Sequence, residues 1–219
     1  MKEDNIEYSI FFNSMFLSYQ KIQMSRALEA TKGMCFLCFE SLENMLRTPQ
    51  SHIVSNAIVP KDDTTKCPMF VTWKKNGDLR GCIGNFSDLP LYDGLKEYAV
   101  VAGSRDPRFP RINQTELPSL KCGVSLLHSF EPAKDVMDWT PGKHGIRLSV
   151  DGNSSTFLPE VATEQGWDKL TTLKYLARKG GFRGDYDQAA QARSSLQRYQ
   201  SSKIEASWDE YQNFLKTLH

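Results

Sequence analysis

The sequence predicts an α+β fold whose sheet is rich in antiparallel pairs. Residues 69–84 contain two runs with alternating apolar positions, joined by Asn76-Gly77, the residue pair that favours a tight hairpin turn. Apolar residues recur at helical spacing on both sides of this hairpin. Strands and helices do not alternate strictly, as they would in a parallel sheet with crossover helices. These observations favour hairpins flanked by helices.

The first half of the chain predicts two helices around that hairpin. Helical spacing marks residues 26–47, and Pro49 would end this helix because proline lacks the backbone N–H. The following segment, residues 50–68, is polar and predicts a long loop. Apolar residues from Leu91 to Ala102 predict the second helix.

The second half predicts three strands and three helices. Residues 121–130 alternate in a way that predicts a strand with one buried face. Its inward positions would be Cys122, Val124, Leu126 and Phe130. Residues 145–157 predict two short strands around an Asp-Gly turn at 151–152. Helices are predicted at 171–178, 185–195 and 207–218. The last begins with a capping box formed by Ser207 and Glu210.

Length, composition and charge are typical of one soluble domain. The chain has 219 residues, of which 40% are hydrophobic, enough for a sizeable core. Lys and Arg total 27 and Asp and Glu total 26, so no overall field attracts nucleic acid or a membrane surface. Five cysteines, an odd number, favour reduced thiols over disulfides. The apolar run near the start is too broken for a signal peptide or a membrane helix.

The stretch "DLRGCIGNF" raises the first functional question, because an arginine and two glycines surround Cys82. Strand alternation places Leu79 and Ile83 towards the core, and Arg80 and Cys82 on the opposite face. A cation beside a thiol favours the reactive thiolate, so Cys82 could act as a nucleophile. The other interpretation is a small cysteine packed beneath a helix, with Arg80 paired to a carboxylate.

The segment "RDPRFPR" supplies three arginines, Arg105, Arg108 and Arg111, around Asp106. Arginine forks bind oxyanions with two parallel hydrogen bonds, so this segment could clamp a carboxylate or another anion. It could equally hold an Asp–Arg pair that fixes a loop bent by two prolines. The residues alone leave both interpretations open.

Two glycine-containing motifs offer further candidates. His144 in "PGKHGIR" could act as a general base or a metal ligand, or could simply bond to the backbone. "LARKGGF" ends a helix with Arg178 and Lys179 before two glycines. This pattern is an ordinary helix stop whose cations suit the helix dipole, but it could also cradle a phosphate or a carboxylate.

The sequence indicates no cofactor and no metal. Cys35 and Cys38 lie on a predicted helix without a second ligand pair at zinc-finger spacing, so core packing is favoured. Neither a Walker loop, nor GxGxxG, nor HExxH is present. Local arginines are the only support for nucleic acid as a partner.

Five sequence blocks together resemble the AMMECR-one domain family. In chain order they are "LRGCIG", "DPRFP", "HGIR", "LPEVATEQGWD" and "RKGGF", and the resemblance runs from about Ala30 to about Tyr211. It implies a single domain, residues 26–219, of two unequal lobes with a cleft between them. Residues 1–25 are then an N-terminal extension of uncertain order. Phe182 stands where relatives often have tyrosine, so the ring is kept without the hydroxyl.

The resemblance also implies where function would lie. Carried over residue by residue, the cleft candidates are Arg80, Cys82, Arg108, His144, Glu160 and Arg178. Relatives are encoded beside Memo-type and radical-SAM proteins, which implies a redox or modification pathway, and human relatives imply a cytoplasmic or nuclear location.

Two hypotheses follow for the function. In the first, the cleft is a binding module for a partner protein or a small anionic molecule, held by Arg80, Arg108 and Arg178. In the alternative, the protein is an enzyme or enzyme subunit. Its catalytic candidates are then Cys82, His144 and Glu160, with Cys82 as nucleophile or redox thiol and His144 as base.

Overall fold

In the computed structural model, one six-stranded antiparallel sheet is flanked by helices, and residues 28–46 and 64–218 are described. The predicted α+β class is confirmed. The sheet has the strand order β2-β1-β3-β6-β4-β5. The elements, in chain order, are α1 (Lys32–Leu46), β1 (Lys66–Lys75), β2 (Asp78–Pro90), α2 (Leu91–Ser104), a 3₁₀ helix (Gln114–Ser119), β3 (Leu120–Pro132), β4 (Gly145–Val150), β5 (Asn153–Phe157), α3 (Val161–Glu164), α4 (Lys169–Lys179), α5 (Gln188–Ala192), β6 (Ser194–Ser207) and α6 (Trp208–Lys216).

Two hydrophobic clusters lie on this sheet. The large core joins α1, α2 and α6 to one face of β1 and β3, and Trp73 lies at its centre with no exposed surface. Its indole N–H donates to the Ala99 carbonyl of α2 at 2.9 Å, so the buried polar atom is satisfied. The small core packs α4 and α5 against β4, around Leu148 and Leu173. The sheet therefore connects two separate apolar interiors.

Both predicted tight turns are present. Asn76 and Gly77 have φ values of 53° and 95°, and Asp151 and Gly152 have 47° and 79°. Two successive residues with positive φ form the turn whose twist matches antiparallel strands. The capping box of α6 is also present, because the Ser207 hydroxyl accepts the Glu210 N–H at 3.2 Å.

Strand β6 is the main element that the sequence pattern did not predict. The pattern predicted a helix over residues 185–195, but α5 covers only Gln188–Ala192, and β6 begins at Ser194. Its polar residues show little alternation, because the strand pairs with β3 in its second half and with β4 in its first half. The first half of the strand therefore contributes to the small core, and the second half contributes to the large core.

The predicted burial of side chains on strands β2 and β3 also needs correction. Leu79 is 42% exposed rather than part of the core. The register of β1 and β2 shifts between Trp73 and Lys74, so Arg80 is an extra residue in a bulge and Leu79 turns outward. Strand β3 has two buried faces rather than one, since Ser125 and Leu127 are also buried.

The remaining helix predictions hold with shifted ends. Helix α1 begins at Lys32, and the predicted start near Arg26 and the stop at Pro49 lie outside the described residues, as does the predicted extension 1–25. The predicted loop 50–68 is described only from residue 64, and β1 already begins at Lys66. Within the described ranges, each helix is too short or too polar to cross a bilayer.

Candidate functional site

A loop covers the free edge of the sheet at β2. Pro107 and Pro110 exclude a regular strand here, so the loop, residues 105–111, pairs with β2 through side chains instead. The Asp106 carboxylate accepts the Cys82 backbone N–H at 2.9 Å, and Arg108 Nη2 donates to the Cys82 carbonyl at 3.1 Å. We call residues 105–111 the edge loop.

Asp106 and Arg108 form a two-pronged ion pair within the edge loop. Arg108 Nε lies 2.9 Å from Oδ1 and Nη2 lies 2.7 Å from Oδ2. Hydrogen bonds from Arg108 lower the pKa of buried Asp106 to about 2, helped by the Cys82 N–H and opposed by burial. The Arg108 side chain is 54% exposed, and its Nη1 has no hydrogen-bond partner within the described ranges.

Arg80 is held by a second buried carboxylate. Its Nε and Nη2 bind the two Glu116 oxygens at 3.0 and 3.1 Å, and Nη1 donates to the Pro110 carbonyl at 2.7 Å. Burial would raise the pKa of Glu116, but hydrogen bonds from Arg80, the Asn113 N–H and Lys75 outweigh it and lower the pKa to about 2. The Arg80 side chain, 12% exposed, thus directs its donors into the protein.

Close approach of α2 to β2 needs glycine at position 81. A Cβ atom on Gly81 would lie 2.1 Å from the Ala102 carbonyl oxygen near the end of α2. The glycine lets this helix end against the strand, and the edge loop follows directly from it.

The face of the sheet opposite the large core carries Cys82 in a row of cross-strand neighbours. Cross-strand pairing aligns Cys82 with Thr72, Gly123 and Glu205, and paired residues share one face. The Thr72 hydroxyl donates to the Cys82 sulfur at 3.2 Å. We call this the second face of the sheet. Cys82 itself is half-buried on this face.

Lys179, the last residue of α4, reaches the same place from the small core. Its ammonium donates to the Thr156 carbonyl at 2.8 Å and lies 4.9 Å from the centroid of the Phe157 ring. Burial of the ammonium and the positive charge of Arg108 lower the pKa of Lys179, whereas Cys82 acts in the opposite direction. Arg108 thus binds the Cys82 backbone, and Lys179, from a distant part of the chain, lies near enough for the charges of Arg108 and Cys82 to affect its pKa.

An aromatic cluster lies further along the second face. Phe86 of β2 packs edge-on against Tyr199 of β6, and Phe130 stacks on the same tyrosine ring at 5.0 Å. The Tyr199 hydroxyl donates to the Phe157 carbonyl at 3.0 Å, so it ties this face to β5. Burial raises the pKa of Tyr199, and the phenol therefore stays neutral.

Glu160 lies on the second face, but in an ion pair. Its carboxylate binds the Lys203 ammonium of β6. Burial would lower the pKa of Lys203, but its hydrogen bond to Glu160 and the negative charges of the surrounding glutamates together outweigh burial and raise it. Next to this pair, Lys74 binds Glu205 in the same way. Both glutamates are thus paired with lysines.

His144 lies in a different neighbourhood from Cys82. It is 8% exposed, and its Nδ1 accepts the Thr140 backbone N–H at 2.9 Å, so a neutral ring carries its proton on Nε2. Burial and the positive charges of Arg198 and Lys143 lower the pKa of His144. Neither cation is among the groups that surround Cys82.

Arg178 is also separate from Cys82, although it directly precedes Lys179. It lines a cavity of about 230 Å³ on the outer side of α4. Lys174, Phe182, Asp185 and Tyr186 lie around the same cavity. The structure therefore brings Cys82, Arg108 and Lys179 together, and places the other four candidates elsewhere or in ion pairs.

The five cysteines are all free thiols. Cys35 and Cys38 are fully buried in the large core and bond weakly to the carbonyls of Ile204 and Leu95. Burial raises the pKa of nearby Cys122. In the described part of the chain, no cluster of three or more His, Cys, Asp or Glu side chains is placed to bind a metal.

Sequence reasoning named Lys179 only beside Arg178 in a possible anion cradle, and it missed Thr72. The "RKGGF" motif contains both cations, and only the packing of α4 decides which of them faces Cys82. Thr72 carried no sequence signal, since a regular hairpin around Asn76-Gly77 would pair Val71 with Cys82, and only the bulge at Arg80 moves Thr72 to this position.

The chain is similar to proteins from several kingdoms. A family model named AMMECR1 matches residues 35–204. An uncharacterized protein of Arabidopsis thaliana is 38% identical over 200 residues, which cover 86% of this chain and 91% of that protein. An uncharacterized protein of Schizosaccharomyces pombe is 35% identical over 195 residues, with 85% and 98% covered.

A solved structure has the same fold. The crystal structure of an uncharacterized protein from Pyrococcus horikoshii matches with a TM-score of 0.67 and 24% identity, and the match covers 81% of this chain and 93% of that one. At this identity the likeness concerns the fold. The family model covers most of the chain, and the relatives align along nearly their whole length. The chain belongs to the AMMECR1 family, as its five sequence blocks predicted.

Proposed function

We propose that this protein is a binding module whose site takes a small anionic ligand or an anionic group of a partner protein. We call Cys82, Arg108 and Lys179 the Cys82 site. The observation that carries the proposal is the convergence of Arg108 and Lys179 on Cys82. Asp106 neutralises one of these two cations, so one net positive charge remains.

The free donors at the Cys82 site suit an oxyanion. Arg108 keeps Nη1 available while Asp106 fixes the plane of its guanidinium, so little side-chain entropy remains to be lost on binding. Lys179 uses one N–H on Thr156 and keeps two. Charged donors at fixed positions bind a carboxylate or a phosphate more strongly than neutral donors do.

Arg80 would hold the edge loop in place and would not contact the ligand itself. It fixes the Pro110 carbonyl and the buried Glu116, and so holds the edge loop that presents Arg108. Arg178 would contribute to the positive field around Lys179 from the outer side of α4. Reduced thiols persist in the cytoplasm and the nucleus, and we propose one of these as the location.

Alkylation of Cys82 offers a direct test of anion binding. The other four cysteines are buried, so they serve as controls within the same chain. We expect iodoacetamide to modify Cys82 first, as followed by peptide mass spectrometry. Inorganic pyrophosphate should slow this step, whereas sodium chloride at equal ionic strength should not.

Matched variants assign the protection to a residue. Lys179→Gln should weaken pyrophosphate protection about tenfold or more, since a hydrogen bond to a charged group contributes about 1.5–3 kcal/mol. Lys216→Gln, a lysine at the other end of the chain on α6, is the control. Equal protection in Lys179→Gln and native protein would refute the proposed site.

One observation favours the enzyme alternative as a second candidate. The Thr72 hydroxyl donates to the Cys82 sulfur, Arg108 binds the carbonyl of the same residue, and nearby cations favour the nucleophilic thiolate. His144 would not act as the base for this thiol, because it lies apart from Cys82. Glu160 would not do so either, because it is held in an ion pair with Lys203. Cys82→Ser should abolish consumption of a metabolite that native protein depletes from a cell extract; depletion at the native rate would exclude this candidate.

A further inference from the structure

A positively charged surface extends from the Cys82 site along α4. The segment 169–183 contains five basic residues and no acidic one, in a chain whose net charge is only +1. Lys174, Tyr175, Arg178 and Lys179 are all exposed along one side of this helix. The charge of the chain is therefore concentrated here rather than spread evenly.

Stacked aromatic rings accompany these cations. Tyr175 stacks on Trp167 with ring centroids 4.2 Å apart and planes 14° apart, and Trp167 packs on Phe157 at 6.0 Å. Tyr175 remains 46% exposed despite this contact. A ring held by stacking on one side and open on the other is a fixed platform for a further planar group.

The aromatic rings and the cations form one connected surface. The Lys179 ammonium lies over Phe157, and the positive charge of Arg108 is near enough to lower the pKa of Lys179. We call Tyr175, Trp167, Phe157, Lys179 and Arg108 the basic–aromatic strip. It leads from the open ring of Tyr175 to Cys82.

We propose that the basic–aromatic strip binds single-stranded nucleic acid. Lys179, Arg108 and Lys174 would bind backbone phosphates, and a base would stack on the open face of Tyr175. This inference rests on the proposed anion site, and it assigns that anion as a phosphate of a nucleotide chain. Positive grooves combined with exposed aromatic rings are what single-strand binding requires.

The chemistry of the strip favours a single strand over other polyanions. In a duplex the base faces are stacked on each other, so they are not available to Tyr175. An acidic peptide would use the cations but has no planar face to match an exposed ring. Lys174 and Arg178 both line the outer cavity with Asp185 and Asp187, so their charges are partly compensated and Lys179 and Arg108 are the main phosphate ligands.

Fluorescence anisotropy with a dye-labelled oligouridylate of about a dozen nucleotides tests this proposal. We expect binding that weakens steeply with added salt, because phosphate contacts release counterions. Tyr175→Ala should reduce affinity about tenfold, whereas Tyr175→Phe, which keeps the ring, should bind like the native protein. Lys174→Gln should weaken binding and flatten the salt dependence, and Lys216→Gln should do neither.

Several outcomes would overturn the proposal. They are an absence of binding at low salt, equal affinity of Tyr175→Ala and native protein, and equal competition by a duplex or by polyglutamate. Pyrophosphate protection of Cys82 separates the two proposals: protection without oligouridylate binding overturns the strip alone. Oligouridylate binding that needs Tyr175 but occurs without pyrophosphate protection supports the strip and refutes the small-anion site.

Discussion

The edge loop with the neighbouring Arg80, and the end of α4, both present cations, but these cations have different partners. At the edge loop, each of two arginines meets a buried carboxylate, Asp106 or Glu116, through two hydrogen bonds. At the end of α4, the Lys179 ammonium meets a backbone carbonyl and an aromatic ring, and no acidic side chain among residues 28–46 and 64–218 forms an ion pair with it. The Arg80–Glu116 and Arg108–Asp106 pairs are each internally neutral, whereas the charge of Lys179 is not compensated in this way.

This difference separates structural cations from cations available for binding. A buried carboxylate costs free energy unless it is paired, so the arginines at the edge loop are needed for the fold. An exposed cation without a partner adds little to stability and is free to bind an anion. Arg108 belongs to both groups, since Asp106 holds one side of its guanidinium and Nη1 remains available.

Acid should remove the largest share of the edge-loop stabilisation, because both carboxylates are affected together. The pKa values of Asp106 and Glu116 are lowered from 3.8 and 4.5 to about 2. Their stabilisation is thus fully present above about pH 4.5 and is lost as the pH falls towards about 2. Urea midpoints measured across this window should fall, and fall less steeply in Glu116→Gln. Parallel curves for the two proteins would contradict this assignment.

Glu116→Gln should be the most damaging single change. It leaves Arg80, which is nearly buried, without its counter-charge, and we expect a loss of about 3–5 kcal/mol in the free energy of unfolding. The control is Glu131→Gln, which breaks an exposed pair with Arg198 and should cost below about 1 kcal/mol. Equal losses in urea denaturation would show that burial does not distinguish the two pairs.

Asp106→Asn should cost less, about 2–3 kcal/mol, because Arg108 can turn to water when its partner is lost. The Cys82 N–H at the sheet edge would also lose a charged acceptor. Hydrogen exchange at the Cys82 amide should therefore accelerate more than exchange at core amides of β1. An unchanged rate at Cys82 would mean that the edge loop does not protect this strand.

Lys174→Ala, at the other region, should have the smallest effect. We expect a change within about 0.5 kcal/mol in the free energy of unfolding, since this exposed side chain lies at the helix surface. A larger loss would make the cations of α4 structural and would remove the contrast between the regions.

Local signals allowed much of the fold to be predicted. Asn76-Gly77 and Asp151-Gly152 fixed two hairpins, because their positive φ values are a property of those residues. Strand β6 had no such signal. Lys203 and Glu205 are polar because they face the second face of the sheet, and that face exists only after β3 and β6 have paired.

The sequence predicted which motifs contribute to the candidate site, but it did not predict how their side chains are arranged. Cys82 and Arg108 were recognised from their blocks, but the bulge that turns Arg80 away from Cys82 has no sequence mark. The sequence at the end of a helix also does not show which of its last residues faces a neighbouring element. Consequently Arg178 was chosen where Lys179 is the cation that reaches Cys82.

The position of β6 in the sheet has a consequence for synthesis of the chain. Strands β3 and β4 do not pair with each other, and β6 lies between them, so the β4–β5 hairpin joins the rest of the sheet only through β6. While residues 194–207 are still within the ribosome, the nascent chain holds a three-stranded sheet and an isolated β4–β5 hairpin. An isolated hairpin is marginally stable in water. The small core, and with it Lys179, would therefore take its final place only after β6 emerges.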